Sequence, residues 1–263
     1  MKRVIKGGII TATIIAVAGM VVFYACKKDD GFNTTRTQDT KLMGSIGATT
    51  TDFNWVSDAF LNAFETTLND FGFGEGSNPD ICGEQMKAIV QQAIESNGYS
   101  WLYNENNTIA SNEIEYTKMI YQIFIQVPHE NLNNNIDNLL NEIISSSMQD
   151  EQKMRLCIFG KSIIGMNNIS DAIASKIANG EIVIKDDDGI KYTETRWDRQ
   201  WDECMKVRLE AIFGDNNPFD IGLFVVSSPA QILWMSAACA WDIWKGKYDY
   251  IKDLPPVVDT LPY

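Results

Sequence analysis

From Asp52 onward apolar residues return every three or four positions, the spacing that gathers them on one face of an α-helix. Val56, Phe60, Phe64, Leu68 and Phe71 make the first such stripe, on a helix predicted to end near Gly72. A second helix opens at Asn78-Pro79, a cap residue followed by the residue best suited to the first helical position. It places Cys82, Met86, Ile89, Val90 and Ala93 together before Asn97-Gly98 stops it. A third is predicted from about Asn112, which has capping-box spacing to Glu115, as far as Pro128. Leu132, Ile136, Leu139, Leu140 and Ile143 give the cleanest stripe in the chain. Two further helical stretches are expected over about 150–165 and about 169–178.

The helical rhythm breaks at 181–193, "EIVIKDDDGIKYT", where two short β-prone runs flank a turn containing Asp188-Gly189. This pattern predicts a small β-hairpin. Its three aspartates do not fit a calcium loop. With Gly189 at the sixth position, Ile184 would occupy a ligand position and Thr195 the position of the essential Glu.

Beyond the hairpin, Trp197, Trp201, Cys204, Met205, Leu209 and Ile212 form one stripe closed by Gly214. Then 21 uncharged residues run from Ile221 to Trp241, long enough to span a bilayer. Ser228-Pro229 with Gln231 reads as a helix start in the middle of that run, so the last helix is predicted over about Pro229–Trp244. It is apolar nearly all round, with Trp234, Trp241 and Trp244 on different sides, and is expected to sit at the centre with Ala237 and Ala238 as close contacts. The fold class expected is therefore mainly α: an irregular multi-helix bundle around a central apolar helix, with one small β-hairpin.

The N-terminus has a different pattern. Basic Met1–Lys6 is followed by 19 uncharged residues from Gly7 to Ala25, and then by Cys26, Lys27, Lys28, Asp29 and Asp30. A positive n-region and an apolar h-region are the two parts of an export signal, although a run of this length also approaches a membrane span. Ala25-Cys26 at the end of the h-region resembles the lipobox of bacterial lipoproteins, with Phe23 and Tyr24 where that box usually has Leu and a small residue. The resemblance covers about 30 residues. It implies that residues 1–25 are a signal peptide and that Cys26 becomes an acylated first residue. It also implies that Lys27, Lys28, Asp29 and Asp30 form a lysine-acidic export signal, carrying the protein to the outer face of the outer membrane, with the periplasmic leaflet as the alternative. The membrane is then a partner through the lipid anchor alone.

Residues 26–51 read as that cysteine and a flexible tether, rich in Thr, Gly and polar residues without apolar periodicity. Twenty-five such residues have a root-mean-square span of roughly 25–30 Å. The globular domain is expected at 52–246, with a Pro-containing extended tail over 247–263.

Composition narrows the function classes. The chain of 263 residues carries 22 basic and 35 acidic side chains, and taking away Lys2, Arg3 and Lys6 with the signal leaves 19 against 35, or −16. Such a surface repels phosphate backbones, so no nucleic-acid partner is expected. There is no H-E-x-x-H, P-loop, G-x-G-x-x-G or G-x-S-x-G pattern, so no catalytic residue, metal ligand or cofactor is assigned. His129, the single histidine, reads as a linker residue after Pro128. Cys82, Cys157, Cys204 and Cys239 are candidate disulfide cysteines with three pairings open to them, or buried thiols. The function expected is a lipid-anchored envelope protein whose helical domain binds an unidentified protein or glycan. The alternative is a surface hydrolase using a carboxylate pair on an external polymer.

Overall fold

A computed structural model of the chain describes residues 49–71, 79–103, 109–185, 189–215 and 217–244. Every described residue belongs to one compact unit. Among the described residues the structure is mainly α. Seven α-helices follow in order: α1 (Asn54–Phe71), α2 (Pro79–Ser96), α3 (Ser111–Gln126), α4 (His129–Ser145), α5 (Asp150–Ala178), α6 (Glu194–Phe213) and α7 (Pro218–Trp244). Short 3-10 turns at Thr50–Phe53 and Ser100–Tyr103 accompany them.

Helical structure starts slightly before the expected boundary at Asp52. The backbone N–H of Thr49 donates to the Asp52 carboxylate at 2.7 Å, so residues assigned to the tether cap the first turn. On α1 the stripe Val56, Phe60 and Phe64 is buried, as are Leu132, Ile136, Leu139, Leu140 and Ile143 on α4. The cap of α3 falls at Ala110, two residues earlier than its sequence suggested. Glu113 supplies the cap, its carboxylate accepting the N–H of Ala110 at 3.0 Å.

The two stretches expected at 150–165 and 169–178 are one helix of 29 residues. At 1.5 Å per residue α5 is about 43 Å long. Gly165, Asn167 and Asn168 lie at the expected break, and tertiary contacts use all three. A Cβ on Gly165 would lie 2.8 Å from Phe60 Cβ and 3.1 Å from Ser57 Cα, so the glycine lets α1 and α5 cross closely. Asn167 donates to Asn133 Oδ1 at 3.2 Å, and Asn133 donates to Asn168 Oδ1 at 3.0 Å.

This helix, and not the C-terminal one, lies at the centre. Every residue from Arg155 to Asn167 is buried, more than three turns with no solvent-facing side. Helices α1, α3, α4, α6 and α7 all pack on it. Its polar side chains survive burial because each finds a partner. Arg155 pairs with Glu113, while Lys161 Nζ meets Asn54 Oδ1 at 2.6 Å and Asp137 Oδ1 at 2.7 Å.

The last helix also differs from expectation. It runs through Pro229 without restarting, from Pro218 to Trp244. Pro229 has no N–H to give to the Val225 carbonyl four residues back. The Ser228 hydroxyl donates to that carbonyl instead, at 3.0 Å. Ala237 is buried as expected, whereas Ala238, a hundred degrees further round, is only partly covered. No helix among the described residues is long and apolar enough to cross a membrane.

The expected hairpin is not seen as strands, and residues 186–188 of its turn lie outside the described residues. Among the described residues there is no strand, only an isolated antiparallel bridge between Lys185 and Lys191 with Tyr192 N–H donating to Ile184 O at 2.9 Å. The connection is short and flanked by helices, so Ile184 and Tyr192 reach the core while Val183 and Ile190 face solvent.

Candidate functional site

Two places on the surface gather chemistry-bearing side chains. The first is built on His129. Pro128, extended at φ −55 and ψ 144, ends the preceding connection, and His129 becomes the first residue of α4. From there the imidazole reaches across to two other helices. Nε2 lies 2.8 Å from Asp171 Oδ1 on α5, and Nδ1 lies 3.3 Å from Asp202 Oδ1 on α6. Burial alone would lower the basicity of this ring. The hydrogen bonds to Asp171 and Asp202, together with their charges, outweigh it and raise the pKa to about 10. At neutral pH the ring is an imidazolium donating to both carboxylates.

Asp198 stands one turn before Asp202 on α6 and behaves differently. Burial raises its carboxyl to about 6, and the charges of Asp171 and Asp202 push the same way, against the His129 cation and a hydrogen bond from Ser170. That bond is 3.4 Å long, and the Ser170 hydroxyl in turn accepts from Trp197 Nε1 at 3.1 Å. The cluster thus holds two carboxylates bound to one cation and a third that protonates more readily. No group of three or more His, Cys, Asp or Glu among the described residues is placed to hold a metal ion.

The second place lies where α6 meets α7. Cys204 on α6 and Cys239 on α7 are joined by a disulfide buried on both sides. One turn further along each helix, Arg208 NH2 donates to Asp242 Oδ2 at 2.9 Å, so a covalent rung is followed by an ionic one. Arg208 also stands over the indole of Trp234, its guanidinium carbon 5.8 Å from the ring centroid. Trp234 is 44% exposed. Its position depends on Gly83 of α2, where a Cβ would come within 3.0 Å of the indole Cδ1.

The sequence-derived candidates fall as follows. Cys26, Lys27, Lys28, Asp29 and Asp30 lie outside the described residues, with the signal segment and the tail over 247–263. Of the four later cysteines, Cys204 and Cys239 form the disulfide just described, and Cys157 is a buried free thiol. A double bridge using Cys157 is therefore not the arrangement found: α5 buries that thiol among apolar neighbours. Burial pushes it up to about 12 despite the nearby Lys161 cation, so it is unreactive. Cys82 falls within α2, at a position outside the described side chains.

His129 is not a linker residue, since it opens a helix and joins two others. Its partners are 42 and 73 residues away, beyond any local pattern. The one usable signal was Asp198 and Asp202, four apart on the flank of the Trp197 and Trp201 stripe. Trp197, Trp201 and Trp241 are buried, as apolar helical faces predict. The chain matches no protein-family model, and neither a curated protein nor a solved structure matches it.

Proposed function

We propose that the chain is a lipid-anchored lipoprotein of the cell envelope, held at the outer membrane through Cys26, whose helical domain acts by binding a partner. The anchor and its address rest on the n-region, the h-region, Ala25-Cys26 and the lysine-acidic run after them. The binding role rests on one structural observation. The buried and half-buried cations of the helix contacts are paired with acids, as in Glu113 with Arg155, Asp137 with Lys161, Asp171 and Asp202 with His129, and Asp242 with Arg208. Trp234, meanwhile, is presented to solvent.

The hydrolase reading has one observation in its favour. Asp198, raised to about 6 by burial and by the neighbouring Asp171 and Asp202, has the protonation bias of a general acid. It ranks second because Asp171 and Asp202 each give an oxygen to His129, a contact that serves to join three helices.

The test has two arms. Expressed in a Gram-negative host with labelled fatty acid, the wild type should take up label and fractionate with the outer membrane. Cys26→Ser should do neither, and equal labelling of both would defeat the anchor. Incubated with soluble polysaccharides, the full chain should release no reducing ends. Release that Asp198→Asn abolishes would make it a hydrolase.

A further inference from the structure

The exposed large apolar side chains among the described residues are Met119, Val183, Ile190, Val207 and Trp234, and only the last is aromatic. Leaving an indole in water forgoes much of the burial free energy that makes tryptophan a core residue. The neighbouring Leu233, Met235, Ser236 and Ala237 are buried, so α7 turns this one large ring outward from a well-packed helix.

Three features fix the ring in place and give it polar company. Gly83 lets the indole lie against the α2 backbone. Arg208 stands over the ring, and Asp242 holds Arg208 at 2.9 Å. Trp234, Ala238 and Asp242 are spaced four apart, hence on one side of α7, and extend over about 12 Å. Ala238 between them is small and partly open, which leaves a shallow floor. The side chains of Arg208 and Asp242 are themselves 20% and 22% exposed, so both reach solvent beside the ring.

A flat, rigid apolar surface beside a cationic fork and a carboxylate matches a sugar ring. Its C–H face stacks on an aromatic ring, and its hydroxyls both donate to a carboxylate and accept from a guanidinium. Resting on the binding role given above, we infer that the Trp234–Ala238–Asp242 face, with Arg208, is a binding site for a neutral oligosaccharide. Neutral is the sign the charge requires. A chain at −13 overall repels uronic or sulfated sugars, and Arg208, the cation over the ring, is already paired with Asp242.

The test uses the full chain carrying Cys26→Ser, titrated calorimetrically with neutral glucose and mannose oligomers and with a galacturonic acid oligomer. A neutral oligomer should bind and the acidic one should not. Trp234→Ala should weaken binding by about tenfold or more, the equivalent of about 1.4 kcal/mol. Trp234→Phe should recover part of that loss, and Met119→Ala, at an exposed site on α3, should change nothing. Circular dichroism of each variant separates a lost site from a lost fold, and Trp234→Phe carries the test if Trp234→Ala unfolds. Equal affinity in wild type and Trp234→Ala would overturn the site while leaving a binding domain in place. Preference for the acidic oligomer, or no binding of any neutral oligomer at millimolar concentration, would overturn the ligand class, with the anchor still judged by acylation.

Discussion

Arg155 holds Glu113 through two parallel hydrogen bonds, Nε to Oε1 at 2.7 Å and NH2 to Oε2 at 3.0 Å, with both side chains buried. The same carboxylate caps α3 through Ala110, so one acidic residue serves the helix end and the central helix together. Removing either partner strands a buried charge, which typically costs about 3–5 kcal/mol. Glu113→Gln and Arg155→Met should each lower the urea midpoint strongly. The double replacement Glu113→Leu with Arg155→Met should recover much of the loss. Additive losses in the double variant would show that the pair does not act as a unit.

His129 gives the bundle a defined pH response. Its pKa is raised from 6.5 to about 10, so its contribution is fully present below pH 6.5 and is lost as the pH climbs through about 10. The stability gap between wild type and His129→Gln should therefore shrink between pH 7 and pH 10. Denaturant midpoints across that window measure it, and a constant gap would contradict the clasp.

Asp198 responds at lower pH. With its carboxyl raised from 3.8 to about 6, its protonated form is favoured in the fold, and that contribution falls away as the pH rises through about 6. Asp198→Asn mimics the protonated group. It should gain stability relative to wild type between pH 4 and pH 7, read from the same titration. An unchanged difference over that range would argue against a raised carboxyl.

The Cys204–Cys239 bridge closes a loop with a sequence separation of 35. On the chain-entropy view such a closure contributes about 2–4 kcal/mol. Replacing both cysteines with alanine should lower the melting temperature clearly, while Cys157→Ala should leave the melting temperature of the bridged protein nearer to wild type. A double variant as stable as wild type would show that the bridge adds nothing.

Gly165→Ala sets two effects against each other. Alanine favours the helix by about 1 kcal/mol, but its Cβ would sit 2.8 Å from Phe60 Cβ, where overpacking costs about 1–3 kcal/mol. The backbone of Ser57, 3.1 Å from that Cβ, cannot rotate away, so the clash should win and the midpoint should fall. A rise would mean that α1 moves aside freely.

The amphipathic helices were legible because periodicity reports burial on one face only. That is the situation of α1 and α4, where Val56, Phe60 and Phe64 and the stripe from Leu132 to Ile143 lie in the core. Helix α5 was misread for the opposite reason. From Arg155 to Asn167 it is buried all round but carries Arg155, Lys161, Ser162 and Asn167, whose polarity resembles a solvent face until Glu113, Asp137, Asn54 and Asn133 are placed beside it. Pro229 looked like a start because the hydroxyl that replaces its missing N–H belongs to Ser228, a residue just as apt as a cap. The candidate sites were less legible still. Asp171 and Asp202 come to His129 from helices far along the chain, and the exposure of Trp234 depends on Gly83, about 150 residues away.

The proposed membrane anchor is tested most directly at the N-terminus of the expressed protein. Expressed in a Gram-negative host and analysed by intact and peptide mass spectrometry, the chain should begin at Cys26 and carry the added mass of acyl groups on that residue. A mature chain that retains Met1–Ala25, or that begins at Cys26 or elsewhere without acyl mass, would contradict a lipid-anchored protein.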